Sequence, residues 1–418
     1  MAGVSEKARF YLEKAVPQLR EWEDKEIFTK DELRTIVQKR SDFEHRVLAP
    51  GNTPADYLAY AAWEKSLDAL RLKRCQRLKI RHLSSAHTAQ VKLLSIYDRA
   101  VSRHPAHRQL WLAYLDYAAH IKATKRWRIV VTRALRMRPT DAALWIMAAR
   151  RMASSGDMAS ARRFFMRACR FCVHDGLVWA EYARCEMQWL AKLVDAEAAK
   201  KSAGKKPSTD KPSADAARAD QVDVDDQISL AGSDADSDSD EDDDGQIVRG
   251  TSSSAVFSTT DKAALTASNP ALDGALPTAI FTIARSQNFW NAAAAELFFD
   301  VFCSFRKMPL HARLVDMVQQ ALDTEFAGSP TALLCRVRRP VAGVSPLTAE
   351  FPRGLREVVP LFKEVLQDVK ARASEEEKGK AVEQGFKEKA AKWLDGLLAT
   401  EGLDGDIGVV LGYLRGLL

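Results

Sequence analysis

The stretch LWLAYLDYAAHIKATKRWRIVVTRALRMRP, spanning positions 110–139, decides the fold because its landmarks recur with a period of 34. Tryptophan recurs with this period, at Trp111, Trp145 and Trp179. Arg-Ala pairs recur with the same period and are Arg99-Ala100, Arg133-Ala134 and Arg167-Ala168. Two independent landmarks that share one period indicate a repeated structural unit.

Each half of the repeated unit has the pattern of an amphipathic helix. Leu110, Tyr114 and Tyr117 lie at positions i, i+4 and i+7, on one helical face. In the second half, the small Ala134 would let two helices approach closely. Pro139 then ends the helix, because proline lacks an amide N–H and clashes with the preceding turn. One hairpin cannot bury both of its faces, so the sequence predicts an all-α solenoid of stacked hairpins. The predicted repeat core comprises Trp111, Trp145, Trp179, Ala100, Ala134 and Ala168.

Positive charge is concentrated in these repeats. The chain has a net charge of +6, but positions 71–170 carry 23 Lys and Arg against 4 Asp and Glu. This excess predicts a polyanion or an acidic protein surface as neighbour. The residues expected to contact RNA or an acidic partner are Arg71, Lys73, Arg74, Arg77, Lys79, Arg81, Arg126 and Arg128. The alternative is a solvated helix face. The recurring Arg99, Arg133 and Arg167 are expected to serve helix packing or an ion pair within the repeat instead.

Composition divides the chain into segments. Positions 191–260 carry 8 Lys and Arg against 16 Asp and Glu, and almost no large apolar side chain, which predicts a disordered acidic linker. Its tract Asp234–Asp244 has a carboxylate at all but three positions. The serines in and next to this tract that an acidophilic kinase would phosphorylate are Ser233, Ser237 and Ser239. The predicted domains are N-terminal helices (1–52), a repeat solenoid (53–190), the linker (191–262), further repeat-like helices (263–345) and a helical tail (346–418).

Capping and periodicity signals set three further expectations. Thr29, with Glu32 three residues later, predicts a capped helix over positions 30–48. The helix that contains Tyr57 is expected to run on to Arg81. The apolar segment Ile407–Leu418 is expected to be exposed and to dock on another molecule.

The repeat resembles the half-a-tetratricopeptide (HAT) repeat. A tetratricopeptide repeat of the same length has Gly four residues after its Trp, and the residues found there are Leu115, Ala149 and Ala183. HAT-like features are the aromatic-x-Arg-Ala blocks Tyr97–Ala100 and Phe165–Ala168, and Glu186 at the end of a helix. The repeat around Trp145 departs from the pattern, because Ala148 and Met152 stand where Tyr and Glu are expected.

The opening segment resembles the U3 small nucleolar RNA-associated protein 6 family. The motifs that carry the likeness are Phe28–Leu33, Arg40–Glu44, Tyr57–Glu64 and Leu70–Arg74. The likeness runs from the N-terminus to about position 190 and resumes over positions 277–344, at Phe298–Phe302 and Val337–Pro340. It implies a non-catalytic assembly subunit of the U3 snoRNP, or small-subunit processome, in the nucleolus, acting in pre-rRNA processing and 18S rRNA maturation. It also implies WD40 propeller proteins as partners, pre-rRNA and U3 snoRNA nearby, and no cofactor, membrane or small-molecule substrate.

Two other interpretations remain open. A HAT scaffold of mRNA splicing or 3′-end processing belongs to the same structural class, although such scaffolds usually have more repeats. A tetratricopeptide-like chaperone adaptor belongs to a different class and would need a groove that clamps carboxylates.

Catalysis, metal binding and membrane insertion have little support in the sequence. There is no glycine-rich phosphate loop or nucleophile elbow. Cys169 and Cys172, followed by His174, could form half of a zinc site, but no second pair follows at a suitable spacing, so core packing is favoured. No apolar run approaches the length of a transmembrane helix, and Met1–Arg9 lacks the apolar core of a secretory signal. These features predict a soluble intracellular protein with reduced thiols.

Overall fold

The computed structural model describes residues 2–203, 274–375 and 377–418, and within these ranges it contains 17 helices and no strand. The all-α class predicted from periodicity is confirmed. The described residues form two compact units, one ending at Arg138 and the other beginning at Pro139. Most of the expected linker and the acidic-tract serines lie outside the described residues; those serines are Ser233, Ser237 and Ser239.

The first unit is built from helices that pack on their neighbours in sequence, with α1 and α2 both packed on α3. Its helices are α1 (Ala2–Glu13), α2 (Val16–Asp24), α3 (Lys30–Leu48), α4 (Pro54–Arg77), α5 (Thr88–Arg103), α6 (Arg108–His120) and α7 (Thr124–Met137). Helix α3 begins as predicted: Glu32 N donates to Thr29 Oγ1 (3.3 Å) and Thr29 N donates to Glu32 Oε2 (2.9 Å). Helix α4 does not reach Arg81. It ends at Arg77, so the later cations lie in the following loop.

The second unit continues the repeat and ends in a separate apolar cluster. Its helices are α8 (Ala142–Ser154), α9 (Met158–Phe171), α10 (Gly176–Ala203), α11 (Ala275–Arg285), α12 (Ala292–Cys303), α13 (His311–Glu325), α14 (Pro330–Arg338), α15 (Phe351–Glu375), α16 (Glu377–Leu398) and α17 (Gly405–Gly416). Helix α10 packs on α8, α9, α11 and α12. It continues to Ala203, so positions 191–203, which were expected in the linker, are helical.

The period of the sequence recurs in the helix boundaries. Helices α6 and α8 both have 13 residues, and α7 and α9 both have 14 residues. The start and end of α8 and α9 are displaced by one full repeat from those of α6 and α7. The two hairpins therefore have helices and turns of equal length. The few landmark residues that they share would not by themselves require this.

The turn inside each of these hairpins uses one left-handed residue. Lys122 has φ 58°, and Gly156, one repeat later, has φ 88°. In both turns the next amide N–H bonds back five residues, from Ala123 to Ala118 O (3.0 Å) and from Asp157 to Met152 O (3.0 Å). This is the Schellman arrangement, which satisfies carbonyls at the end of the first helix. Lys122 holds a conformation that glycine adopts at less steric cost.

Stacked aromatic pairs tie each helix carrying the repeat Tyr to the helix before it. The pairs, which share one sequence separation, are Phe43 and Tyr60, Tyr97 and Tyr114, and Phe165 and Tyr182. Their ring centroids lie 5.0–5.5 Å apart and their planes are within 11° of parallel. At the corresponding positions of the divergent repeat, Val131 and Ala148 stand instead, so both partners of the stack are aliphatic.

The repeat tryptophans occupy two environments. Trp111 and Trp145 are buried, and their Nε1 atoms donate to the carbonyl oxygens of Pro105 and Pro139, each at 2.8 Å. The prolines that end one hairpin therefore also anchor the next helix. Trp179 is half-buried against Phe289, and its Nε1 has no hydrogen-bond partner among the described residues. The repeat alanines are fully buried and are Ala100, Ala134 and Ala168.

The C-terminal helices form their own core. Helix α17 buries Ile407, Leu411 and Leu414 in a cluster with residues of α15 and α16, while Val409 is 73% exposed. The expectation of an exposed docking segment was wrong here, because the i, i+4, i+7 spacing places the three buried residues on one face. None of the described helices is long and apolar enough to cross a membrane.

Candidate nucleic-acid interface

Much of the charge in the repeats is engaged in internal ion pairs. One kind of pair joins an arginine to a glutamate and occurs twice with the same sequence separation. Arg40 Nε and Nη2 donate to the carboxylate of Glu64 at 2.8 and 3.0 Å. Arg162 Nε and Nη2 donate to Glu186 at 2.7 and 2.9 Å, and in both pairs the separation is 24. Both glutamates are almost fully buried. Such bidentate pairs fix the spacing of adjacent helices and leave their arginines no charge to offer a partner.

Two other pairs of residues have this separation but form no ion pair. Leu94 and Ala118 stand at this separation and are both buried, so there the pair is apolar on both sides. Arg128 and Met152 also stand at this separation, and Met152 lacks a carboxylate. Arg128 is exposed and has no ion-pair partner among the described residues.

The arginine of the Arg-Ala pair makes a second kind of ion pair. Arg99 Nη1 and Nη2 donate to Glu44 at 2.8 and 3.1 Å, and Arg133 Nη1 lies 3.7 Å from Asp98 Oδ1. Glu44 and Asp98 occupy equivalent places in successive repeats, because each also accepts the hydroxyl of a repeat tyrosine. Arg99 and Arg133 thus make ion pairs, but each bonds to a carboxylate of the preceding repeat and not, as expected, within its own. Arg167 is exposed, with no such partner among the described residues.

Two of the residues expected to contact RNA or an acidic partner are engaged inside the first unit. Arg71 is 5% exposed and its Nη2 lies 2.7 Å from Asp68 Oδ1. Arg74 donates to both carboxylate oxygens of Glu32 at 2.7 and 2.8 Å and to the carbonyl oxygen of Ile27 at 3.0 Å. The hydrogen bonds from Arg74 and from the backbone at the start of α3 lower the pKa of Glu32 to about 2. Arg74 therefore joins α4 to α3 and to the segment before it, whereas the ion pair of Arg71 lies within α4.

Arg126 is a third expected contact residue that is engaged internally. Its Nε donates to Tyr114 Oη at 2.8 Å, and its Nη2 contacts Asp98. Burial lowers the pKa of the Arg126 guanidinium, and the positive charge of Arg133 adds to the effect. Arg71, Arg74 and Arg126 thus have internal carboxylate partners, which charge density alone does not reveal.

Five of the expected residues remain available on the surface. Arg128 lies on α7, and the other four form what we call the basic segment: Lys73, Arg77, Lys79 and Arg81. All four are exposed, and none has an ion-pair partner among the described residues. Lys73 and Arg77 lie one helical turn apart in the last two turns of α4, and Arg81 lies in the loop beyond. The segment therefore presents charge along a helix end and the loop that follows it, rather than along one helix face.

Lys79 shapes this segment. It has φ 57°, and the amide of Ile80 bonds back to Cys75 O at 3.0 Å, so the residue ends α4 in the same way that Lys122 ends α6. Cations near a helix C-terminus also interact favourably with the helix dipole, by about 0.3–1 kcal/mol each. Part of the positive charge thus stabilises α4 itself.

The loop after α4 is held by α2. Glu21 accepts the amide N–H groups of Ser84 (2.7 Å) and Ser85 (2.9 Å), and Lys25 Nζ donates to the carbonyl oxygen of His82 (2.6 Å). Burial disfavours the Glu21 carboxylate, but these hydrogen bonds and those from the Ser85 and Lys25 side chains outweigh it and lower the Glu21 pKa to about 2. Nothing in the sequence pattern indicated this contact, because its partners lie far apart in the chain.

The cysteines favoured as core residues have the properties of buried thiols. Burial raises the pKa of Cys169 to about 12 and also raises the pKa of Cys172. A raised pKa favours the neutral thiol, which suits packing against apolar neighbours. Among the described residues, no group of three or more His, Cys, Asp or Glu side chains could hold a metal ion.

Known proteins are similar to part of this chain, and the matching family model covers the basic segment. Residues 12–99 match the family model of U3 small nucleolar RNA-associated protein 6. The chain is 32% identical over 193 residues to the U3 small nucleolar RNA-associated protein 6 of Schizosaccharomyces pombe, which covers 46% of this chain and 40% of that protein. It is 28% identical over 189 residues to the mouse homolog and 27% identical over 185 residues to the human homolog, covering 44% of this chain and 31% of each relative. The matched regions thus span less than half of these relatives.

Proposed function

We propose that this chain is a non-catalytic assembly subunit of the U3 snoRNP that acts in pre-rRNA processing and 18S rRNA maturation in the nucleolus. The observation that carries the proposal is the match of residues 12–99 to U3 small nucleolar RNA-associated protein 6. The matched residues belong to a unit of helical hairpins. In that unit the four cations of the basic segment have no ion-pair partners among the described residues. HAT repeats, WD40 propeller partners and proximity to pre-rRNA and U3 snoRNA belong to the same proposal.

The basic segment is the proposed contact with RNA phosphates. Its four cations are exposed and adjacent along the chain, and phosphate neutralisation releases counterions, which favours binding at low salt. The stacked aromatic pairs of the repeats lie between packed helices, where Tyr60, Tyr97 and Tyr114 are buried. The sequence from Lys73 to Arg81 contains no aromatic residue that could stack on a base. We therefore expect binding that follows charge and salt and shows little preference for base sequence.

A charge-reversal experiment tests this contact. Replacing Lys73, Arg77, Lys79 and Arg81 with Glu should weaken ultraviolet crosslinking of the full chain to RNA in cells and reduce the salt dependence of its RNA binding by a slope of about one per lost contact. The matched control reverses four exposed cations of α15, which are Arg353, Arg356, Lys363 and Lys370. That control should leave crosslinking unchanged.

The outcomes separate the remaining interpretations. Loss of a protein partner in RNase-treated extract, with RNA crosslinks unchanged, would assign the basic segment to an acidic protein surface instead. Equal loss in the α15 control would show that net charge, and not this segment, governs binding. Retention of RNA and partners in the basic-segment variant would leave only the role of these cations at the end of α4.

A further inference from the structure

The loop after α4 carries a sequence pattern that the proposed function does not use. Arg81 stands three residues before Ser84, and Lys79 stands five before it. Basophilic serine kinases select substrates by pairing basic residues on the N-terminal side of the serine with acidic pockets of the kinase. Among the described residues, the serines with arginine three positions earlier are Ser84, Ser102 and Ser154.

The structure distinguishes these three serines. Ser102 lies within α5, and Ser154 ends α8 with its hydroxyl donating to Arg151 O at 2.8 Å. Ser84 lies outside the helices, its side chain is exposed, and residues 80–83 before it have no regular secondary structure. A kinase cleft binds its substrate as an extended segment that reaches from the basic residues to the hydroxyl. Of the three, only the chain around Ser84 can take that form without unwinding a helix.

We propose that Ser84 is a phosphorylation site for a basophilic serine kinase and that the added phosphate releases the loop from Glu21. In the reaction, Ser84 Oγ attacks the γ-phosphorus of ATP and forms the new O–P bond. The bond from the γ-phosphorus to the β,γ-bridging oxygen breaks, ADP leaves, and the hydroxyl proton passes to the kinase's carboxylate base and then to solvent. The product is a phosphoserine with a charge of about −2 at neutral pH.

The release follows from the position of Glu21. Its carboxylate accepts the amide N–H of Ser84 itself and that of Ser85, so the phosphate and the carboxylate would be held within a few ångström of each other. Two anions at that distance repel, and the bonds from the loop to α2 are the contacts that can break. The phosphate would also offset about half of the positive charge of the basic segment. Any resulting loss of RNA binding rests on the proposed function.

Phosphorylation of the native full chain tests the site. The purified chain is treated with the catalytic subunit of cyclic-AMP-dependent protein kinase and magnesium ATP, and modified peptides are quantified by mass spectrometry. Ser84 should be modified, and Ser102 and Ser154 should become modified only when the chain is first unfolded in urea. Arg81→Gln should lower the initial rate at least tenfold, and Glu21→Gln should raise it several-fold because the loop is then less tightly held. Native protein that acquires no phosphate on Ser84, or acquires it at a rate that Arg81→Gln does not change, would overturn the assignment.

Hydrogen exchange tests the release without reference to RNA. In the phosphorylated chain, the amides of Ser84 and Ser85 should exchange at least tenfold faster, while the protected amides of α3 stay unchanged. The Ser84→Ala chain, treated with the same kinase, is the control and should show no acceleration. Unchanged exchange after stoichiometric modification would contradict the release. Because neither readout involves RNA, the site can stand if the basic segment proves not to bind RNA, and it can fail while RNA binding holds.

Discussion

Arg162→Leu is the substitution whose effect can be worked out most fully from the structure. The substitution places an apolar side chain in α9 and removes the bidentate partner of the Glu186 carboxylate, which is 1% exposed. Breaking a buried pair from one side costs about 3–5 kcal/mol. Because the Arg162 side chain is itself 34% exposed, we expect a loss near the lower end of this range, about 2–4 kcal/mol in the free energy of unfolding at neutral pH.

Urea unfolding of the full chain at neutral pH measures this loss, and hydrogen exchange localises it to α9 and α10. Arg163→Leu is the matched control, because Arg163 is exposed on the same helix, and should change stability by less than about 0.5 kcal/mol. The double variant Arg162→Leu/Glu186→Met replaces the pair with apolar groups, as Leu94 and Ala118 do naturally, and should recover most of the loss. A loss below about 1 kcal/mol, or an equal loss in the Arg163→Leu control, would refute the reasoning.

Three further predictions concern the turns, the tryptophans and the loop contact. Lys122→Gly should raise the free energy of unfolding by about 1 kcal/mol and Gly156→Ala should lower it by a similar amount, because both positions have left-handed backbone. Urea unfolding measures both changes. A stabilising Gly156→Ala would contradict the shared helix cap. Trp145→Ala should cost about 3–5 kcal/mol and the half-buried Trp179→Ala less, as thermal unfolding would show; equal costs would contradict the two environments. The wild type should lose stability as the pH falls from 4.5 to about 2, because Glu21 has a lowered pKa in the folded state. Glu21→Gln should remove this loss from the free energy of unfolding measured against pH. An unchanged pH dependence in Glu21→Gln would contradict the prediction.

The hairpin repeat could be predicted from sequence because its period is carried by large residues. Trp111 and Trp145 mark the same place in two hairpins, and the helix boundaries follow them with the same shift. The left-handed position was not predicted, because Lys122 gives no sign of the turn that Gly156 fills. The burial of α17 was also missed, since an apolar segment has the same pattern whether it packs on its own chain or faces outward.

The candidate site could be predicted only as a region. Charge density drew attention to the end of α4, but it treated Arg71, Arg74 and Lys73 alike. Which cation is free depends on carboxylates supplied from elsewhere, such as Glu32, which contacts Arg74 from a distant point of the chain. A local pattern contains no information on such partners. The regular separation between arginine and glutamate would have identified the pair of Arg162, since Arg40 and Glu64 share it.

Sequencing of the RNA that copurifies with the tagged full chain tests the central proposal most directly. We expect U3 snoRNA and 18S precursor sequences to be enriched over other abundant nuclear RNAs, and the enrichment to fall in the variant with the four reversed charges of the basic segment but not in the α15 control. Recovery of spliceosomal RNAs instead, or of no RNA above the level of an untagged extract, would contradict the assignment to the U3 snoRNP.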